Sequence, residues 1–292
     1  MFDENVKLNP VQNRLCMAFF VSGDIYPSYI PFLLYSLFKA YPEYFIIISV
    51  KGTLSDKIKV KIKDLGHRSN FIIKENFGDE FAEDPNIWKT LRWVHIHPEY
   101  YNFEYVYIGD IDYIFTREDI PLLERKIKIC EMENLPYANT TKADNPETRG
   151  LRMTGIHFYK VSEYLPEMIE VMEKYKEQLK KGMPKIFYNN KLKRYDNQMA
   201  LRIMIEEAEL GMPEFNTFEY NGLHIGHSRC KGRWEQFLKE DGLHRGYMKY
   251  FLENLDTPEF RKLYESTSKQ VWMEINRMVN AGYEYFGGVL DE

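Results

Sequence analysis

Short apolar runs alternate with amphipathic stretches from Leu15 to Phe115, and this alternation limits the possible folds more than any other feature of the chain. Leu15–Ser22 (LCMAFFVS), Phe45–Val50 (FIIISV), Asn70–Glu75 (NFIIKE) and Tyr105–Ile108 (YVYI) have the length and residue types of buried strands. Between them, Tyr29–Ala40 carries apolar residues at helical spacing. Ser55–Leu65 is a charged amphipathic helix with Ser55 as its N-cap, and Ile87–His97 is a helix that stops at Pro98. Strand and helix alternating at this spacing build βαβ units around a parallel sheet, which places the chain in the α/β class. In such sheets ligands bind beyond the carboxyl ends of the strands, where strand order switches. The second half is more mixed. It predicts a short helix at Leu122–Ile129, strands at Tyr137–Thr141 and Ile156–Val161, and helices at Glu163–Lys181 and Tyr195–Glu209. Two or more helices follow from Met248, one of them opened by Thr257 and Pro258. No linker rich in Gly, Ser or Pro interrupts the chain, which favours one continuous domain with a helical C-terminal extension.

Composition removes several classes of function. A chain of 292 residues that is 44% hydrophobic and 15% aromatic has an ample, aromatic-rich core. Its formal net charge of -5 argues against a nucleic-acid partner, because duplex affinity comes largely from neutralising phosphates. Cys16, Cys130 and Cys230 are far apart and lack any C-x-x-C spacing, so a disulfide framework is not expected and a reducing compartment is. The N-terminus has no apolar signal core, and no stretch reaches about 18 consecutive apolar residues. These features predict a cytoplasmic location, with peripheral contact at the inner membrane face left open. The basic run from Lys174 to Arg194 reads as a solvated face, an anionic membrane surface being its alternative partner.

Glu104–Phe115 reads EYVYIGDIDYIF. Asp110 and Asp112 follow directly on the fourth strand and, two residues apart on an extended segment, point to one side. Together they offer oxygen ligands to a hard divalent cation such as Mg²⁺ or Mn²⁺. A solvated turn is the plain alternative, although Tyr113, Ile114 and Phe115 make the chain apolar again at once. Phosphohydrolases of the haloacid-dehalogenase type also end a strand in D-x-D-x-[TV], the first Asp acting as nucleophile. Here the fifth position is Ile114, and a suitably placed downstream G-D-x-x-x-D is missing.

YVYIGDIDYIF is followed in order by TGIHFYK (Thr154–Lys160), YDNQMA (Tyr195–Ala200) and LHIGHSRCKGRW (Leu223–Trp234). Over about Leu15 to Trp234 this series resembles GT-A-fold glycosyltransferases, most nearly glycosyltransferase family 8, the glycogenin and lipopolysaccharide galactosyltransferase type. The resemblance implies a Rossmann-like, mixed and mainly parallel sheet flanked by helices over residues 1–234. Residues 235–292 would form a helical extension packed on it. It also implies transfer of a hexose from a nucleotide sugar, by this likeness a UDP-sugar, to a hydroxyl of a glycan or glycolipid with retention of configuration.

The residue roles come from the same resemblance. Asp110 and Asp112, with Ile111 between them, match the D-x-D that holds Mn²⁺ or Mg²⁺, Asp110 lying also near the ribose. His224 matches the C-terminal metal ligand, and His227 is the other candidate. Gly226 and Lys231 match positions along the diphosphate, although Lys231-Gly232-Arg233-Trp234 replaces the family's Lys-Pro-Trp. Arg229 or Arg233 could take up remaining charge there. Lys89 and Arg92 fall where the family puts a basic residue on the nucleotide, and Phe20, Val21 and Ser22 would meet the base. Gly155 matches a glycine near the sugar, preceded here by Arg152, Met153 and Thr154 in place of Asn-Ser. Asp196 and Gln198 match a D-Q segment at a helix start and are the catalytic candidates; Asp196 reads equally well as an N-cap. His157 is a candidate acceptor contact, whereas His95 and His97 read as capping or surface residues. A non-catalytic carbohydrate- or nucleotide-binding protein on the same fold, and the phosphohydrolase, stay open as alternatives.

Overall fold

A computed structural model describes residues 14–66, 68–139, 141–142, 152–182, 185–188, 191–194, 197–214 and 221–287. Its main sheet has six strands: β1 (Leu15–Val21), β2 (Phe45–Val50), β3 (Phe71–Lys74), β4 (Tyr105–Gly109), β6 (Tyr137–Ala138) and β7 (His157–Lys160). They lie in the order β3-β2-β1-β4-β7-β6. The pairs β1/β2, β1/β4 and β2/β3 are parallel, and β4/β7 and β6/β7 are antiparallel. The expected mixed, mainly parallel architecture is therefore present. Because β1 sits between β2 and β4, strand order reverses at β1 and β4, and a crevice opens at their carboxyl ends.

Side-chain alternation along the strands divides the core in two. Leu15, Met17, Phe19 and Val21 of β1 face one cluster, together with Ile46 and Ile48 of β2 and Tyr105 and Tyr107 of β4. Cys16, Ala18, Phe45, Ile47, Val106 and Ile108 face the other. With both faces covered, these strands read as continuous apolar runs, which is the signature seen in the sequence. Helices α3 (Pro85–Val94), α5 (Val161–Lys180) and α6 (Asn197–Glu207) cover the second face. The first is covered by α1 (Ile30–Ala40), α2 (Asp56–Asp64) and α4 (Leu122–Glu133), together with the C-terminal helices. Those are α7 (Arg233–Glu240), α8 (Gly242–Tyr250), α9 (Pro258–Glu265) and α10 (Lys269–Phe286).

Local signals explain where most helices start and where some depart from expectation. Ser55 is at the N-cap of α2, but its side chain makes no capping bond. α3 starts earlier than its apolar spacing indicates, because Asp84 accepts from Asn86 N at 2.8 Å and Pro85 fills the first turn. It also ends earlier, at Val94. His97 is buried, not at the surface, and caps a separate 3-10 turn by accepting from Glu99 N. Thr257 caps α9 as expected. The expected strand at Tyr137–Thr141 is divided: Tyr137–Ala138 joins the main sheet, and Thr141–Lys142 pairs with Arg152–Met153. Lys160 at the end of β7 and Lys174, Lys176 and Lys180 of α5 form exposed ion pairs with Glu163, Glu207, Glu173 and Glu177 respectively. Among the described residues, no helix is long and apolar enough to cross a membrane.

The C-terminal helices share the core of α1. Phe260 is fully buried, with its ring centroid 5.7 Å from that of Phe32 and 5.1 Å from that of Phe251, both edge-on. Phe260→Ala should therefore lower the unfolding free energy by about 3–5 kcal/mol in a urea titration.

Candidate active site

Asp112 sits at the start of β5 (Tyr113–Phe115), a short strand outside the main sheet. It is tied to α1 because Ser36 Oγ accepts from Phe115 N at 3.0 Å. β5 pairs antiparallel with β8 (Gly222–His224), in the register Gly222↔Phe115, Leu223↔Ile114, His224↔Tyr113. The ladder continues one step further, Ile225 N donating to Asp112 O at 2.8 Å. Gly222 permits this close pairing: its φ is +146°, and a Cβ there would lie 2.1 Å from Ile114 O. The register brings together the second aspartate of the D-x-D and the first of the two candidate metal-binding histidines. His224 Nε2 is 3.2 Å from Asp112 Oδ1.

Asp112 is 4% exposed, and a buried carboxylate needs partners. Arg229 supplies the second, Nη2 donating to Oδ2 at 3.0 Å. Burial opposes ionisation of Asp112, but the adjacent His224 and Arg229 outweigh it and pull its pKa down to about 2. For His224 burial disfavours the charged ring; the Asp112 carboxylate overcomes this and raises its pKa. The Nδ1 of His224 is buried without a hydrogen-bond partner. Arg229 also donates to Glu274 of α10, from Nε at 3.1 Å and Nη2 at 3.3 Å, and to Tyr29 at 3.1 Å. Tyr29 in turn donates to Glu274. Glu274 is 3% exposed, so a carboxylate from the C-terminal helices is buried against the cleft's arginine.

Asp110 has different neighbours. Arg92 Nη1 donates to its Oδ1 at 2.6 Å, and the guanidinium lies 4.2 Å from the Trp93 ring centroid. Gly155 packs directly on this pair: a Cβ there would come 2.6 Å from Asp110 Oδ2 and 3.3 Å from Arg92 Nη2. Gly226 packs as closely on the other carboxylate, where a Cβ would fall 2.8 Å from Asp112 Oδ2 and 2.7 Å from His224 Cε1.

These groups open onto a cleft of about 390 Å³ at the crevice of the sheet. Phe20, Val21 and Ser22 line it from β1 and the residue that follows, Lys89 and Arg92 from α3, Asp110, Ile111 and Asp112 from the end of β4, and Gln198 from α6. His224 and Arg229 close it. Lys231 is exposed and does not line the cleft. His227 does not line the cleft: its ring lies 4.7 Å from that of His224, in a cluster with Phe237 (4.8 Å) and Trp234 (5.9 Å), and burial, then His224, lowers its pKa to about 3. His157 is fully buried among Trp93, Tyr137 and Tyr164, with Nδ1 3.2 Å from Asn139 Nδ2, and does not line the cleft. Asp196 lies outside the described residues. Tyr26, Phe77, Trp88 and Asn197 also line the cleft and were not identified from sequence; only the position of Trp88 next to Lys89, and of Asn197 next to Gln198, could have pointed to them.

Two carboxylates and an imidazole suit a divalent cation chemically. Among the described residues, however, no three His, Cys, Asp or Glu side chains converge closely enough to hold a metal by themselves. The protein can thus supply part of a coordination shell, centred on Asp112 and His224 with Asp110 nearby. Water and ligand oxygens would provide the rest, a common arrangement for Mg²⁺-type sites at phosphates.

No family model matches the sequence, and no curated protein matches it. Among solved structures, the chain is similar to the galactosyltransferase LgtC in complex with donor and acceptor sugar analogues, at 14% identity over 64% of this chain and 69% of that one, with a TM-score of 0.43. It is similar to core-mannan synthase A of Aspergillus fumigatus in a Mn/GDP form, at 8% identity over 66% and 69%, with a TM-score of 0.41. It is also similar to a mannosyltransferase of Pyrobaculum calidifontis in complex with GDP-Man and Mn²⁺, at 11% identity over 97% and 77%, with a TM-score of 0.39. Likeness at this level carries no function from those proteins to this one.

Among the described residues, removal of Arg229 would leave Glu274 buried with Tyr29 and Gln270 as its side-chain partners, and Asp112 with His224. Breaking a buried ion pair costs roughly 3–5 kcal/mol, and the partial exposure of the Arg229 side chain reduces this. Arg229→Ala should lower stability by about 2 kcal/mol in chemical denaturation.

Proposed function

We propose that the protein is a metal-dependent glycosyltransferase that moves a hexose from a UDP-sugar to a hydroxyl of a glycan or glycolipid, with retention of configuration. The observation that carries this reading is the β5/β8 register, which sets His224 against Asp112 at the mouth of a cleft on the strand-switch crevice. That crevice is where α/β sheets bind nucleotides. Imidazole beside carboxylate favours Mn²⁺ over Mg²⁺. When bound, the cation would supply Lewis-acid neutralisation of the departing diphosphate.

The chain's own residues carry the remaining roles. Phe20, Val21 and Ser22 form the wall assigned to the base, with aromatic Phe77 and Tyr26 close by. Lys89 and Arg92 are the cations on the nucleotide side, and Arg92 holds Asp110 in place toward the ribose. Arg229, fixed from behind by Glu274 and Tyr29, presents a preorganised guanidinium where charge develops on the leaving group. Gly155 lets the Asp110–Arg92 pair pack against the backbone behind the cleft wall, since any Cβ there would collide with Asp110. Gln198, in the first turn of α6, faces the same cleft and is assigned to the reacting sugar together with Asp196. Retention needs no protein base, since the leaving diphosphate accepts the acceptor's proton. Inversion would require a carboxylate base, and Asp196 is the candidate.

Isothermal titration of UDP should show binding with Mn²⁺ present and little without it. Asp112→Asn and His224→Ala should each weaken binding at least about tenfold. Equal, negligible binding under both conditions removes the reading. An NMR time course should show the product anomer matching the donor's; the opposite anomer would move the base role to Asp196.

A further inference from the structure

A second groove, of about 410 Å³, adjoins the cleft on its C-terminal side. Lys269, Met273 and Arg277 of α10 line it at four-residue intervals, so they form one stripe along the helix. Gln270 and Glu274 lie on the same side, and the stripe ends at Arg229, which lines both the groove and the donor cleft.

The charge of this groove is unusual for an acidic chain. Arg229, Lys269 and Arg277 line it, with the single carboxylate of Glu274. Glu274 is buried and already takes bonds from Arg229, Tyr29 and Gln270. Lys269 and Arg277 have no carboxylate partner among the described residues; Arg277 donates only to Ser228 O, at 3.0 Å. Elsewhere on the surface, Lys174, Lys176 and Lys180 of α5 are paired with glutamates. Two unpaired cations in a concave site attract and orient an anion more strongly than the same charges on a flat face. Arginine adds the planar donor geometry that suits phosphate. Met273 is 37% exposed and supplies apolar contact beside them.

We propose that this groove is an anion subsite that takes a phosphate group carried by the acceptor and so places the acceptor hydroxyl beside the donor cleft across Arg229. The assignment to the acceptor rests on the glycosyltransferase reading. The shared chemistry is a phosphate monoester, whether it belongs to a soluble sugar phosphate or to an amphiphile with a phosphate head.

The test uses the full chain with UDP and Mn²⁺ filling the donor cleft. Calorimetry compares glucose 6-phosphate and octyl phosphate with their neutral counterparts, glucose and octyl glucoside. Both phosphates should bind at least about tenfold more tightly than the neutral compounds, and their affinity should fall with added salt. Lys269→Glu, on an exposed side chain, should reduce phosphate affinity at least about fivefold with UDP affinity and melting temperature unchanged, and Arg277→Ala should reduce phosphate affinity by a similar factor with a small fall in melting temperature from the lost bond to Ser228 O. The tighter of the two phosphates identifies the soluble or the amphiphilic source. Equal binding of phosphates and neutral compounds, or phosphate affinity undiminished in both variants, overturns the subsite. Phosphate binding that responds to both variants in a protein that binds no UDP would overturn the glycosyltransferase reading and leave the anion site standing.

Discussion

The carboxylate of Asp112 is the constraint around which the rest of the site is arranged. It is almost wholly removed from water yet held in its charged form, and a lone charge in that position would cost more than the fold can supply. Its partners come from distant parts of the chain: His224 from a strand added outside the main sheet, and Arg229 from the turn that follows. Arg229 is in turn compensated by Glu274 on α10. A surface carboxylate would need none of this. The extra strand pair, the close approach at Gly222 and the buried glutamate are all explained by one ion that must stay charged in a nearly dry place.

The parallel half of the sheet was legible because its strands are buried on both sides. LCMAFFV and FIIISV carry no solvent-facing residues, and their boundaries agree with the structure to within a residue. The carboxyl-end placement of Asp110 and Asp112 followed from that reading. The β5/β8 pair was not legible. Three-residue strands show no periodicity, and their partner lies more than a hundred residues away, where only tertiary contact can specify it. The same limit hid Glu274. On α10 it looks like any polar residue on an amphipathic helix until Arg229 is seen against it. His227 illustrates the converse: sequence offered it on equal terms with His224, and only the register of β8 separates a ring facing Asp112 from one packed among Trp234 and Phe237.

The helices after Trp234 are therefore more than a cover for one face of the sheet. They complete the core of α1 through Phe260, and they hold the arginine that meets Asp112 through Glu274. The division expected near residue 234 does not separate a finished site from an appendage, because the charge balance of the cleft crosses it.

Tyr29 and Glu274 meet across 245 residues of sequence. A polypeptide emerging from the ribosome will have made every strand of its sheet before the residue that neutralises Arg229 exists. Until α10 docks, Arg229 has Asp112 but not Glu274, Tyr29 lacks its acceptor, and contacts of such long sequence separation form late and slowly. The nascent chain thus passes through an interval in which the sheet can be assembled while the Glu274 side of the cleft is not.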